Sequence, residues 1–141
     1  MKMRKFVLYI MWSLVLLVMI SCHHEEIPVR SQDFLDQHFS QYAIVLVEVG
    51  EEEGEKEYKV WLTDGTKVEF DMQGNWKRVG RKKTGIPREL IPDAIERYVK
   101  KNYPHDVVTK FSKKDYGYKL ELSDDMDLRF NHQCQFIEEI D

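Results

Sequence analysis

The stretch Tyr58 to Phe70, YKVWLTDGTKVEF, returns later in the chain as YKLELSDDMDLRF, Tyr118 to Phe130. A string written twice at one constant offset implies two like folding units, and this limits the architecture more than any other feature. At an offset of 60 and with no gap, Tyr58, Val60 and Leu62 fall on Tyr118, Leu120 and Leu122. Asp64, Val68, Phe70, Asp71 and Trp76 fall on Asp124, Leu128, Phe130, Asn131 and Phe136. The match reaches back to Phe34, Leu35, His38 and Phe39, which fall on Ala94, Ile95, Tyr98 and Val99. Those positions stand at i, i+1, i+4 and i+5, the stripe of an amphipathic helix. Pro92 suits the first turn of the second helix, and Asn102-Tyr103-Pro104 is a stop signal.

After each helix the period changes to two. Tyr58, Val60 and Leu62 alternate with Lys59, Trp61 and Thr63, and Val68 and Phe70 alternate with Lys67, Glu69 and Asp71. This is a hairpin with one apolar face, joined by Asp64-Gly65, which supplies the positive φ that a tight turn needs. A further turn at Gly74 leads into a strand carrying Trp76, and Ala43 to Val49 and Val107 to Phe111 are matched strand candidates. The expected fold class is therefore α+β, as two tandem repeats, each a helix followed by a four-stranded antiparallel sheet. About 50 residues rarely bury enough surface to stand alone, so the repeats are expected to share a core or a continuous sheet. The boundaries expected are a leader over 1–21, a tether over 22–30, repeats over 31–80 and 87–141, and a basic linker over 81–86.

The leader stands apart from the fold. A basic start is followed by an apolar run, Phe6 to Ile20, of 15 residues, shorter than the roughly 20 needed to cross a bilayer. It reads as the core of a secretory signal. The run ends in VMISC, a small residue followed by Cys22, which looks like the lipobox at which bacterial lipoproteins are cut and acylated; the alternative is an uncleaved anchor helix. With Cys22 lipidated, only Cys134 remains, so no internal disulfide forms and stability rests on packing. Loss of Lys2, Arg4 and Lys5 takes the net charge from −4 to −7. An acidic chain is a poor general binder of nucleic acid, and a lipid rather than charge is expected to hold it to the membrane.

A helix, the string Y-x-V-x-L-x-D-G-x-x-V-x-F-D-x-x-G-x-W, a basic linker and a second copy opening with Pro together resemble the β-lactamase-inhibitor-like, PepSY-like proteins of Gram-negative cell envelopes. The resemblance covers Ser31 to Asp141. It implies the tandem fold above and non-catalytic binding, with inhibition as one form of it, of another envelope protein or peptide. It also implies a location in the Gram-negative cell envelope, lipid-anchored at the outer membrane on its periplasmic or surface face. The second copy departs from the pattern at Asp125 and Cys134, where Gly is favoured, so wider or different turns are expected there.

No catalytic residue and no cofactor is expected. Cys134 lies two residues from His132, but no group to orient the imidazole is evident. His23 to Glu26 offers metal-ligand types without the spacing of a zinc site, so no metal ligand is assigned. Asp124, Asp125 and Asp127 lack the Gly-fixed loop of dense oxygen ligands, although a calcium-responsive or ligand-sensing domain remains the rival reading. Two charge runs, Glu48 to Glu57 and Lys77 to Arg88, serve either as solvated loops or as docking surfaces. Trp61 breaks the sheet's polar face, standing among Lys59, Thr63, Lys67 and Glu69, while Glu121 with Lys119 and Arg129 takes the matching place in the second copy. An aromatic among charges on an open sheet face is what a binding surface offers, so Trp61, Lys59, Glu69, Glu121 and Arg129 are the expected partner-binding residues. The other reading of Trp61 is a ring covered by the linker or the opposite repeat.

Overall fold

A computed structural model describes residues 26–140. Cys22, the leader and residues 22–25 of the tether lie outside the described residues. The described chain runs α1 (Val29–Phe39), β1 (Ile44–Glu52), β2 (Glu55–Leu62), β3 (Lys67–Asp71) and β4 (Trp76–Gly80). A 3-10 turn (Arg88–Leu90), α2 (Asp93–Asn102), β5 (Val108–Lys114), β6 (Gly117–Leu122), β7 (Asp127–Asn131) and β8 (Phe136–Ile140) follow. No helix among these residues is long and apolar enough to cross a membrane.

The strands form one eight-stranded antiparallel sheet in sequence order, β1 to β8. This corrects the expected α+β class with two helix-plus-four-strand repeats: among the described residues there are two α-helices on a single sheet, and the fold is mostly β. The reason lies at the centre, where β4 pairs with β5 through Arg78 with Ser112, Val79 with Phe111 and Gly80 with Lys110. Separate sheets would leave the N–H and C=O rows of two inner edges unpaired, and one continuous ladder removes both edges. Before α2 the chain stays tied to β5, through Arg81 N–H to the Thr109 carbonyl (2.8 Å) and Ile86 N–H to the Val108 carbonyl (2.9 Å).

Register follows the offset of 60. Tyr58, Lys59, Val60 and Trp61 face Phe70, Glu69, Val68 and Lys67, while Tyr118, Lys119, Leu120 and Glu121 face Phe130, Arg129, Leu128 and Asp127. The turns match too, against expectation. Gly65 and Gly74 have φ of 84° and 85°, and Asp125 and Cys134 take the same left-handed form at 69° and 60°. Asn131 Oδ1 accepts from Gln133 and Gln135 N–H as Asp71 Oδ1 does from Gln73 and Asn75 N–H, so the carboxamide sets the turn and Cys134 carries the backbone strain.

Both helices cover one face. Leu35 and Phe39 of α1 and Ile95 and Val99 of α2 are buried against Val60, Phe70, Val79, Leu120 and Phe130. In the first half Phe34 meets Phe70 edge-on at 5.7 Å and stacks on Trp76 at 5.6 Å. In the second half the equivalent position is the small Ala94, and Tyr98, one turn later, contacts Phe130 and Phe136 at 5.3 and 4.8 Å. Trp76 reaches Phe111 across the centre at 5.9 Å, so the two halves share one core.

Candidate functional site

Among the described residues the other face of the sheet carries no helix, and it is charged. Strand alternation places Glu57, Lys59 and Trp61 of β2 there, with Lys67 and Glu69 of β3, Arg78 of β4, Lys110, Ser112 and Lys114 of β5, and Lys119 and Glu121 of β6. The face is curled. Glu53 in the β1–β2 turn brings its carboxylate within 3.7 Å of the Lys114 ammonium on β5, roughly 14 Å of strand spacing away, as two long side chains do when they lean toward each other across a twisted sheet. Glu52 of β1 likewise meets Arg78 of β4 with two hydrogen bonds, at 2.9 and 3.0 Å.

Two adjoining hollows result, together a trough, divided by the Glu52–Arg78 bridge. One, of about 260 Å³, lies between Glu53, Glu69, Lys77 and Lys113; the other, of about 280 Å³, lies between Lys110, Ser112, Lys119 and Asp127. Arg78 is fully engaged at their junction, donating to Glu52, to Glu69 Oε2 (2.7 Å) and, through Nε, to Ser112 Oγ (3.1 Å). Burial opposes its charge, but the carboxylates of Glu52 and Glu69 outweigh this and raise its pKa. The hydrogen bond from Arg78 lowers the Glu52 pKa against the opposing cost of partial burial.

Glu57 is fully buried, with Lys59 Nζ at 3.3 Å and Lys77 Nζ at 3.4 Å. Lys59 reaches it by laying its stem across Gly50, where a Cβ would stand 2.8 Å from the Lys59 Cε. Carboxylate oxygens of Glu52, Glu57 and Glu69 lie within 4.8 Å of one another and could in principle hold a cation. Arg78, Lys59, Lys67 and Lys77 already place four positive charges against these three negative ones. A divalent ion has to displace them, so the cluster is an ion-pair network.

The five expected partner-binding residues all lie on this face, in two groups. Lys59 faces Glu69 across β2 and β3 beside Trp61, whereas Glu121 and Arg129 stand on β6 and β7, beyond β4 and β5. Trp61 is half-buried, faces Leu46 of β1, and has Lys67 Nζ 5.2 Å from its ring centroid. Glu69 is only 2% exposed and is held by Lys67 (2.6 Å) and Arg78. Glu121 pairs with Lys110, and Arg129 with Glu138 at 2.7 Å. Sequence reading missed Arg78, Glu57 and Ser112. Glu57 was legible, standing two residues before Lys59 on the same face; Arg78 was read only as part of the basic run from Lys77 to Arg88, and a bulge between Glu69 and Phe70 interrupts the register of its strand.

The remaining sequence candidates make contacts within the fold. Asp64 takes hydrogen bonds from Thr66 and from Arg81 (3.0 Å), and burial, which alone would raise its pKa, is outweighed by these donors. Arg81 also donates to the Gly85 carbonyl at 2.6 Å, so it clips the β2–β3 turn to the segment before α2. Asp127 pairs with Lys119 at 2.6 Å and Asp124 accepts from Met126 N–H. His132 Nε2 lies 2.6 Å from the Asp115 carbonyl oxygen, and among the described residues no hydrogen bond links it to Cys134.

With a helix-covered apolar face and a curled charged face in view, the relatives can be compared. The profile of the family described as "Putative beta-lactamase-inhibitor-like, PepSY-like" matches residues 56–138. The chain belongs to this PepSY-like family. Among solved structures, this PepSY-like chain is similar to a "putative calcium-regulated periplasmic protein" of Bacteroides thetaiotaomicron, with TM-score 0.76 and 36% identity over 82% of this chain and 91% of that one. Two "putative periplasmic" proteins of Bacteroides vulgatus are also similar. One has TM-score 0.78 and 27% identity, covering 86% of this chain and 97% of that one. The other has TM-score 0.73 and 30% identity, covering 82% and 91%. A search of curated proteins finds no match.

Proposed function

We propose that this PepSY-like chain is a non-catalytic binding protein of the cell envelope that holds another protein or peptide against the curled, charged face of its sheet. One observation carries the reading: the face that the helices leave bare is a pair of hollows walled largely by charges held in ion pairs, and the half-buried Trp61 lies on the same face beside Lys67. Side chains held in place lose little entropy on docking, and an aromatic beside them supplies apolar contact. The location rests on the periplasmic descriptions of the relatives and on the lipobox-like VMISC ending at Cys22. Acylation is tested by Cys22→Ser, which should abolish lipid labelling; labelling that persists contradicts the anchor.

The test of binding is capture of envelope proteins on the immobilised full-length chain. Trp61→Ala is expected to weaken capture by about 2 kcal/mol, as loss of an aromatic anchor does, with the melting temperature nearly unchanged. Loss of several degrees with capture intact would make Trp61 a structural residue and remove the face's best anchor. A second reading, a calcium-responsive domain, is favoured by the description of the 36%-identical relative. Glu57, which calcium would have to take from Lys59 and Lys77, is one candidate ligand, and the turn of Asp124 and Asp125 is the other. A rise in melting temperature at millimolar calcium, lost in Glu57→Gln, would favour this reading over the first.

A further inference from the structure

The two edges of the sheet are guarded unequally. β8 has five residues and is tied to the end of α2 by the Tyr103–Glu139 hydrogen bond and the Tyr98–Phe136 stack. β1 has nine residues and pairs only with β2, so its outer row of N–H and C=O groups has no strand beside it among the described residues. Along β1, Val45, Leu46 and Val49 are 60%, 46% and 39% exposed. Such an edge is a template for a further strand.

Charge decides which strand. Glu48 lies on the trough side of β1 and Glu51 on the helix side, both exposed, and among the described residues neither has a cation within 4.0 Å. Lys59 faces Glu48 in register but turns its ammonium to Glu57. A second copy of this chain is a poor occupant, since β1 against β1 sets these glutamates against one another and β8 offers Glu138 and Glu139.

We propose that the free edge of β1 takes an extended peptide segment with two basic residues three apart, one for each side of the strand, set among β-branched apolar residues. The spacing mirrors Glu48 and Glu51, and the apolar positions cover Leu46 and Val49. Backbone pairing supplies the affinity and the two basic residues the selectivity. This surface adjoins the trough along Leu46 and Glu48, but the inference does not depend on the trough being a binding site.

The probe is the end-blocked peptide Lys-Thr-Val-Lys-Val-Val-Thr, titrated against the full-length chain with hydrogen exchange read along β1. Saturable binding is expected, with slowed exchange confined to β1 and β2. Affinity should fall at least tenfold on N-methylation of alternate peptide amides, and at least tenfold when both lysines are replaced by glutamate. In the double variant Glu48→Lys, Glu51→Lys, with folding verified by its melting curve, the preference should reverse toward the glutamate peptide. No saturation at millimolar peptide, equal affinity for the N-methylated peptide, an unreversed preference, or protection mapped to Arg78 and Ser112 instead would overturn the proposal. Peptide-independent dimerisation that protects β1 would also overturn it, by assigning the edge to a second copy.

Discussion

Glu57 and Val60 stand three residues apart on β2, one toward the trough and one toward the helices, and both are 0% exposed. Val60 is buried by packing against a shared apolar core, which gains free energy with every methylene removed from water. Glu57 is buried because the sheet curls until charges from separated strands meet, and such a network gains little once desolvation is counted. The apolar face therefore carries the stability. The charged face carries a geometry, held by side chains that cannot be removed singly without stranding a buried partner.

The largest effect should come from the apolar side. Phe70→Ala and Phe130→Ala are each expected to cost about 3 to 5 kcal/mol through lost burial and a residual cavity. Denaturant unfolding should remain a single transition in both, because Trp76 and Phe111 join the halves; two separated transitions would break the comparison. Arg78→Met comes next. A fully buried ion pair broken on one side costs about 3 to 5 kcal/mol, and about 2 to 4 is expected here because the Arg78 side chain keeps 21% exposure. A cost under about 1 kcal/mol would show the network to be no more than surface pairing.

Acid should act through the same residue. The folded-state pKa of Glu52 is lowered, chiefly by the Arg78 hydrogen bond, from its ordinary 4.5. A lowered carboxylate pKa contributes stability at pH above the ordinary value, and that contribution is lost as pH falls through the folded-state value. Melting temperature should thus drop below about pH 4.5, and less steeply in Arg78→Met, where this part of the linkage is gone. An identical acid limb in both proteins would put the linkage elsewhere.

The smallest effects test the turns. Nothing lies within 4 Å of a Cβ built on Gly65, so Gly65→Ala should cost about 1 to 2 kcal/mol from left-handed backbone alone. At the equivalent turn Asp125→Gly should stabilise by about 0.5 to 1 kcal/mol, because it relieves the strain at φ 69°. Equal signs would mean that the two turns are not alike.

Local periods made both helices, the β2–β3 and β6–β7 hairpins and their inward residues legible, since Leu35, Phe39, Ile95 and Val99 answer to spacing along the chain. A continuous sheet was one of the two arrangements that the size of the repeats allowed, but its seam between β4 and β5 was not legible, because strand pairing between distant segments leaves no local period. The burial of Glu57 and Glu69 escaped for a related reason. Alternation assigns a side chain to a face, but the curl that brings Glu52 and Glu53 over β4 and β5 is a property of the whole sheet. Arg78, the residue joining most of the network, reads in sequence as one more cation of a basic run.

The central claim is that the bare face is the working face. Its most direct test is a photo-crosslinking amino acid placed at Lys114, inside the trough, and at Gln37, exposed on α1, in the full-length chain expressed in its own cell envelope. A discrete crosslinked partner is expected from position 114, absent from position 37 and diminished by Trp61→Ala. Crosslinks from position 37 alone, or from neither position, would contradict it.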